Sequence, residues 1–177
     1  MKEIVTKAIV LSITPLKEKD SMTSLFTDEL GVIDVRVVGA KKPLSKFAQH
    51  LDPINLVTVR LVKKNIFTVT DVLEENRFNK IRKDQKKFSE GIKIICLLQA
   101  LLPREFPEGE LWHHVVRLFT NGESDVHSVL KILGYDVRHA TCGMCGKSSI
   151  TSFSQESQMF LCGECGMKFP PSDILYI

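Results

Sequence analysis

Two Cys-x-x-Cys pairs near the end of the sequence constrain its fold more than any other feature. The first pair is Cys142 and Cys145, and sixteen residues separate it from the second pair, Cys162 and Cys165. Two residues between paired cysteines let both sulfurs reach one ion, and the length between the pairs is typical of structural zinc sites. Glycines in each Cys-Gly-x-Cys-Gly unit allow tight turns in which backbone N–H groups point at the sulfurs. We therefore predict one structural Zn²⁺ held by these four thiolates.

Other roles for the cysteines fit the sequence less well. A redox site needs only one Cys-x-x-Cys pair, next to a βαβ pattern that the sequence lacks. Two disulfides need an oxidising compartment, whereas the N-terminus shows no signal peptide. His139 lies three residues before the first pair, but four thiolates already fill a tetrahedral shell and leave no position for a catalytic water. The fifth cysteine, Cys96, is expected to be a buried small hydrophobe.

The first part of the chain has the residue pattern of β-strands. Five segments carry β-branched or alternating apolar residues, and turns separate them. These segments are residues 4–13, 22–26, 32–38, 54–62 and 66–73. Closing five short strands into a barrel removes the exposed sheet edges. The sequence therefore predicts a five-stranded OB-type barrel.

Apolar residues recur with a helical period from about Lys80 onward. Three amphipathic stretches follow one another at residues 88–102, 107–121 and 124–134. Ser124 is the expected N-cap of the third stretch, and Trp112 in the second is expected in the core. Residues 150–153 and 159–161 are expected to pair as a hairpin between the two cysteine pairs.

These patterns predict an α+β chain in three parts. The parts are an OB-fold barrel at residues 1–78, a helical domain at 79–138, and a zinc module with the C-terminal tail at 139–177. No apolar run approaches the about 18 residues of a membrane span. With no targeting segment either, a cytoplasmic location is expected.

Positive charge is concentrated in two stretches of a chain whose net charge is only +3. Residues 36–64 hold seven Lys or Arg against one acid, and residues 77–87 hold six against one. Such a zone favours a polyanionic partner, although a single charged run is often only a solvated face. The predicted nucleic-acid-binding residues are Arg36, Lys41, Lys42, Lys46, Phe47, Arg60, Lys63 and Lys64. Phe47 is the candidate for stacking on bases, while Phe67 is expected in the core.

Motifs of common catalytic sites are missing from the sequence. It has no phosphate-binding loop, no Gly-x-Ser-x-Gly nucleophile elbow and no His-Glu-x-x-His. His113 and His114 are adjacent, so on a helix their rings point about 100° apart and cannot share a ligand. We therefore expect a protein that is not an enzyme.

Taken together, these residues resemble the RecO family of bacterial DNA repair proteins. The resemblance includes Ala8-Ile9-Val10-Leu11, Gly39-Ala40-Lys41-Lys42, Leu51-Asp52-Pro53 and residues 74–84. Its most specific part is Leu133-Gly134-Tyr135 before the first cysteine pair, and then Phe153-Ser154 before the second. The resemblance implies an OB barrel, a helical domain and a zinc module.

The resemblance also implies a function in recombinational DNA repair. The implied activities are binding of single- and double-stranded DNA, annealing of complementary strands, and help in loading recombinase on single-stranded DNA. The implied partners are RecR and single-stranded-DNA-binding protein, in a bacterial cytoplasm and near the nucleoid. Two other hypotheses stay open: an adaptor that docks an acidic protein tail, and an RNA-binding OB protein.

Three departures from the family pattern are visible. Relatives usually carry more helices, including a segment after the zinc module, whereas this sequence ends at Ile177 as a short variant, so partner sites built from those helices are not carried over. Glu156-Ser157 stands where the family often has two glycines. The stretch after Lys42 is less rich in arginine than in many relatives.

Overall fold

The structure, a computed structural model, describes residues 2–16, 20–39, 47 and 49–177. It forms two compact units, residues 1–124 and 125–177. The strands of the first unit are β1 (Lys2–Pro15), β2 (Ser21–Thr27), β3 (Gly31–Val37), β4 (Leu56–Lys63) and β5 (Phe67–Asn76). Its helices are α1 (Asn79–Arg82), α2 (Gln85–Leu101) and α3 (Gly109–Asn121).

The first five strands close into a barrel in the order β1-β2-β3-β5-β4. β1 has 14 residues and pairs antiparallel with both β2 and β4, with an irregularity between Val10 and Ser12. The only parallel contact between these strands is short and joins Val35 and Arg36 of β3 to the start of β5. This is the five-stranded OB barrel expected from the sequence, and the α+β fold class is confirmed.

Alternation along the strands separates the barrel interior from its outer surface. In β3, Val35 and Val37 are fully buried, whereas Asp34 between the inward positions is exposed. The interior residues are Ala8, Val10, Leu25, Ile33, Val35, Val37, Leu51, Val57, Val59, Leu61, Phe67 and Val69. Phe67 is 5% exposed, so its expected place in the core is confirmed. The apolar period of the sequence therefore sets the facing of these strands.

Helices α2 and α3 cover part of the outer barrel surface. Gln99 of α2 donates from Nε2 to Ser12 Oγ in β1 at 2.7 Å. Trp112 of α3 lies edge-on to Phe26 of β2, with ring centroids 5.4 Å apart, and is 3% exposed. The expected core position of Trp112 is confirmed, and the outer sides of β1 and β2 are not solvent-facing at these points.

The linker between α2 and α3 runs along β3. Arg104 forms an isolated parallel bridge with Val32, and the N–H of Glu105 donates to the Val32 carbonyl at 2.9 Å. Gly31 has φ +69°, and a Cβ placed there would lie 1.9 Å from the Phe106 carbonyl oxygen. Only glycine allows both the turn and this close approach.

The second unit carries a small sheet in the order β7-β6-β8. Its elements are α4 (Val126–Ile132), a 3₁₀ turn (Val137–His139), β6 (Ser152–Ser154), β7 (Met159–Leu161), α5 (Gly163–Gly166) and β8 (Ile174–Tyr176). The hairpin between the cysteine pairs is confirmed, and β8 is a strand that the sequence did not indicate. Phe153 lies at the centre, with ring centroids 4.9 Å from Tyr135 and 5.3 Å from Phe160.

Asp125, rather than the expected Ser124, is the N-cap of α4. Its carboxylate accepts from the N–H groups of His127 and Ser128 at 3.0 and 3.2 Å. An anion at this position satisfies two unpaired donors and favours the positive end of the helix. The expected cap was wrong by one residue.

The three-part division with boundaries after residues 78 and 138 stays a prediction, beside the two units that the structure forms. Within the part of the chain that the structure describes, no helix combines the length and apolarity needed to cross a membrane.

Replacing Gly31 with alanine is expected to destabilise the first unit by roughly 2–5 kcal/mol, from left-handed backbone strain and overpacking against Phe106. Gly109→Ala is the matched control, because a Cβ there meets nothing within 4 Å and the residue starts α3. Urea unfolding followed by Trp112 fluorescence measures both. Equal midpoints for the two variants would show that the close approach at Gly31 carries no strain.

Candidate functional site

Five of the eight predicted nucleic-acid-binding residues lie in the described part of the chain. They are Arg36, Phe47, Arg60, Lys63 and Lys64. Lys41, Lys42 and Lys46 lie outside the described residues. The nucleic-acid assignment of the whole set stays a prediction.

Arg36 is tied to a carboxylate of its own barrel. Its Nη2 lies 2.6 Å from Asp20 Oδ2, and its Nε lies 3.2 Å from the same oxygen. The other oxygen of Asp20 accepts from the Gly39 N–H at 3.0 Å, and Asp20 is 8% exposed. Because these bonds join the end of β3 to the start of β2, Arg36 has a structural use.

Arg60 and Lys63 also face carboxylates. Arg60 Nη1 lies 3.0 Å from Glu3 Oε1, and both side chains are about half exposed. Lys63 Nζ lies 2.5 Å from Glu105 Oε2 and 4.4 Å from the centre of the Phe67 ring. Exposed pairs of this kind contribute little stability, about 0–1 kcal/mol, so a phosphate can replace the carboxylate.

Lys64 and Phe47 differ in how far they are available to a ligand. Lys64 is exposed in the turn between β4 and β5. Phe47 is half-buried and packs against the barrel interior. A ring in that position offers less face to a base than the sequence suggested, and its stacking role stays a prediction.

Side chains of the same unit already cover part of the outer face of β2 and β3. OB folds commonly bind oligonucleotides on this face and on the β1–β2 and β4–β5 loops. Here Arg104 donates to Ser24 Oγ at 2.9 Å and lies 3.5 Å from Asp34, while Trp112 covers Phe26. The β4–β5 turn is not covered in this way, since Lys64, Asn65 and Ile66 are exposed.

A second candidate site is the group of four cysteines in the second unit. The sulfurs of Cys142, Cys145, Cys162 and Cys165 all lie within 4.8 Å of one another. Cys145 is exposed and the other three are buried. Each pair turns tightly, because the N–H four residues after its first cysteine donates back to that cysteine's carbonyl, at 2.8 and 2.9 Å. The structure thus brings together the four thiols that the sequence singled out.

Hydrogen bonding and burial shift the pKa values of two of these thiols, Cys142 and Cys165, in opposite directions. The backbone N–H groups of Cys162, Met144 and Cys145 lower the pKa of the Cys142 thiol to about 6. Burial and the neighbouring thiols raise the pKa of Cys165 to about 12. A bound cation favours the thiolate at every position, since coordination replaces the proton.

The donor set fits a soft or borderline metal ion. Four sulfurs close enough to share one ion are typical of zinc and of iron–sulfur centres. Within the described residues, the grouping contains only the four cysteines, and His139 is not part of it. Cys96 lies on α2, half-buried rather than fully buried, and burial raises the pKa of its thiol.

Side chains that sequence reasoning missed support the cysteine site. Lys147 Nζ lies 2.7 Å from Glu164 Oε2 and joins the two cysteine turns. Asp173, 8% exposed, accepts from Ser154 Oγ and from the Glu156 N–H, both at 2.6 Å. Glu156 takes part through its backbone, so this support does not depend on the side chain that departs from the family pattern. The sequence signal for this pair was position alone, since Glu164 lies inside the second repeated unit and Lys147 directly follows the first.

The fold and the two sites define a class of protein, an OB-fold barrel followed by helices and a four-cysteine centre. Residues 1–74 match the family model "Recombination protein O N terminal", and this range coincides with the closed barrel. This match and the similar proteins confirm the resemblance to the RecO family that the sequence predicted.

Similar proteins extend the likeness beyond the barrel. The chain is 30% identical over 115 residues to the DNA repair protein RecO of Salinibacter ruber, covering 63% of this chain and 44% of that protein. It is 23% identical over 176 residues to the RecO of Thermodesulfovibrio yellowstonii, covering 93% and 70%. It is 27% identical over 181 residues to that of Geobacter metallireducens, covering 94% and 74%. The chain therefore corresponds to part of the length of these relatives.

Arg36→Ala is expected to destabilise the barrel by about 1–3 kcal/mol, because it leaves the nearly buried Asp20 carboxylate with fewer donors. Arg60→Ala, which breaks an exposed pair, should cost at most about 1 kcal/mol. Thermal unfolding followed by circular dichroism measures both variants. If Arg60→Ala costs as much as Arg36→Ala, the structural use assigned to Arg36 is wrong.

Proposed function

We propose that the chain is a non-catalytic DNA repair protein that binds DNA, anneals complementary strands and helps to load recombinase on single-stranded DNA. One observation carries this proposal: the segment that matches the family model is the segment that closes into the OB barrel. The names of the similar proteins, DNA repair protein RecO, support the same function.

The charges of the barrel support contact with the phosphate backbone. Annealing needs cations that reduce the repulsion between two backbones while the bases stay free to pair. Lys64 is exposed in the β4–β5 turn, and Arg60 and Lys63 are held only by exposed carboxylates. We assign Lys41, Lys42 and Lys46 to the same function from the sequence alone. Phosphate contacts of this kind are tolerant of sequence.

We propose RecR and single-stranded-DNA-binding protein as partners, and a location in the bacterial cytoplasm near the nucleoid. The support is the resemblance to the RecO family together with the exposed cations of the barrel. A mediator of this kind would exchange the coating protein for recombinase on DNA that it already holds.

We propose Zn²⁺ as the ion of the four-cysteine centre. Its ligands would be Cys142, Cys145, Cys162 and Cys165, whose sulfurs are close enough to share one ion. With a full shell of four thiolates, the ion would supply folding energy to the second unit and no catalysis.

An Arg60/Lys63/Lys64→Ala variant is expected to bind oligo-dT more weakly and to anneal complementary oligonucleotides more slowly. Removing three phosphate contacts should reduce the slope of log affinity against log salt by about 2, since each contact contributes about 0.7. Fluorescence anisotropy over a salt series measures binding, and an Arg117/Lys131/Lys168→Ala variant removes the same charge from elsewhere.

Three results would contradict the proposed function. If the unmodified protein does not bind oligo-dT at low salt, DNA binding is excluded. Tighter binding to an acidic peptide than to DNA would favour the adaptor. Equal or better competition by RNA of the same sequence would favour an RNA-binding protein.

Metal analysis is expected to find one zinc per chain, and chelation should unfold residues 139–177 while the barrel persists. Hydrogen exchange read by mass spectrometry separates the two regions. Cys142→Ser should release the metal, whereas Cys96→Ser, outside the centre, should retain it. Unchanged protection of β6 and β7 after complete chelation would show that the ion does not hold this unit together.

A further inference from the structure

We propose a second phosphate-binding surface at the junction of α1 and α2, formed by Lys80, Lys83 and Lys86 and called here the α1–α2 corner. It rests on the proposed function, because it names a further contact for the same DNA. The surface is distinct from the residues of the barrel and of the β4–β5 turn.

Two of the six cations between residues 77 and 87 have structural uses. Arg77 Nε lies 2.7 Å from Glu74 Oε2. Arg82 donates from Nη2 to the Pro53 carbonyl and to Asn55 Oδ1, both at 2.7 Å. The Arg82 bonds hold α1 against the barrel, and Arg77, which also donates to the Gln49 carbonyl at 3.1 Å, joins the end of β5 to the segment before β4.

Lys87 is also used within the fold. Its Nζ donates to the Gly122 carbonyl at 2.8 Å, at the C-terminal end of α3, where a cation is favourable. The stem of Lys80 packs against the same glycine, since a Cβ placed at Gly122 would lie 2.7 Å from Lys80 Cβ. Contact through the stem fixes the base of Lys80 and leaves its charged end exposed.

The three remaining lysines differ from the barrel cations in having no carboxylate partner. Lys80, Lys83 and Lys86 are exposed, and among the described residues no ion pair involves any of them. The acid between them, Asp84, accepts from the N–H groups of Lys86 and Lys87 at 3.0 and 3.1 Å as the N-cap of α2. A phosphate at the corner therefore displaces no internal anion.

The shape and composition of the corner favour an extended polyanion over a small ligand. Lys80 and Lys83 lie three residues apart at the end of α1, which places their side chains side by side, and Lys86 follows in the first turn of α2. Among the described residues of the corner, no aromatic ring is available for stacking, because Phe78 is 2% exposed and Phe88 is half-buried near the Arg82 guanidinium. Contacts here would go to the phosphates and would not depend on base sequence.

Strand register places this corner far from the β4–β5 turn. Lys63 pairs with Phe67 at one end of these strands, and Leu56 pairs with Asn76 at the other. α1 begins three residues after Asn76. Ten residues of β5 at about 3.3 Å each separate the two cationic regions by roughly 30 Å. One barrel unit would then hold two backbone segments at once, which is the arrangement that annealing requires.

The test compares a Lys80/Lys83/Lys86→Ala variant with the unmodified full chain, using oligo-dT and a salt series. Alanine suits helices, so these exposed changes should leave the fold intact. The slope of log affinity against log salt should fall by about 2. Annealing should slow further when the corner and the β4–β5 turn are both changed. The Arg117/Lys131/Lys168→Ala variant is again the charge-matched control.

The possible outcomes separate the inference from the proposed function. If the unmodified chain binds DNA and the corner variant keeps the same slope, the corner is not a phosphate site and the proposed function stands. If the unmodified chain does not bind DNA, the proposed function is wrong and the inference fails with it. A Lys83/Lys86→Glu variant with a normal melting temperature that still binds like the unmodified chain would also overturn the inference.

Discussion

Backbone hydrogen bonding of β1 to two partners is the constraint on which the first unit depends. β1 pairs with β2 through its second half and with β4 through its first half, so one strand begins and completes the barrel. Closure leaves few unpaired edges and fixes which side chains point outward. The outward position of Arg60 on β4 follows from that facing. The helices then pack on the outer surface, where Trp112 covers Phe26.

The cations of the first unit fall into two groups according to the partners of their side chains. Arg36 and Arg82 hold backbone segments together through short bonds to partly buried acceptors. Arg60 and Lys63 lie at the surface against carboxylates that water also solvates, whereas Lys83 and Lys86 face solvent and form no ion pair among the described residues. A count of Lys and Arg along the chain treats all of these alike. The partner of each side chain shows whether that cation stabilises the fold or stays available to a ligand.

Sequence periodicity and spacing predicted the parts that depend on local order. The alternation around Val35 and Val37 gave the facing of β3, and two Cys-x-x-Cys pairs gave a shared cluster of four thiols. Contacts between distant residues left no such signal. The bond between Arg36 and Asp20 joins positions 16 residues apart, and the packing of Phe47 depends on the closed barrel. β8 has only three residues and is held by pairing with β6, so its own pattern is too short to detect.

The linker between α2 and α3 carries a residue, Glu105, that pairs with a lysine of the barrel. Glu105, which pairs with Lys63, has φ +56° and is fixed to β3 through its N–H. A phosphate that took Lys63 would displace this carboxylate, while the N–H bond of Glu105 to Val32 would still hold the linker against β3. The pair between Lys63 and Glu105 thus joins the end of β4 to the linker between α2 and α3, so a ligand bound at Lys63 would act on both segments.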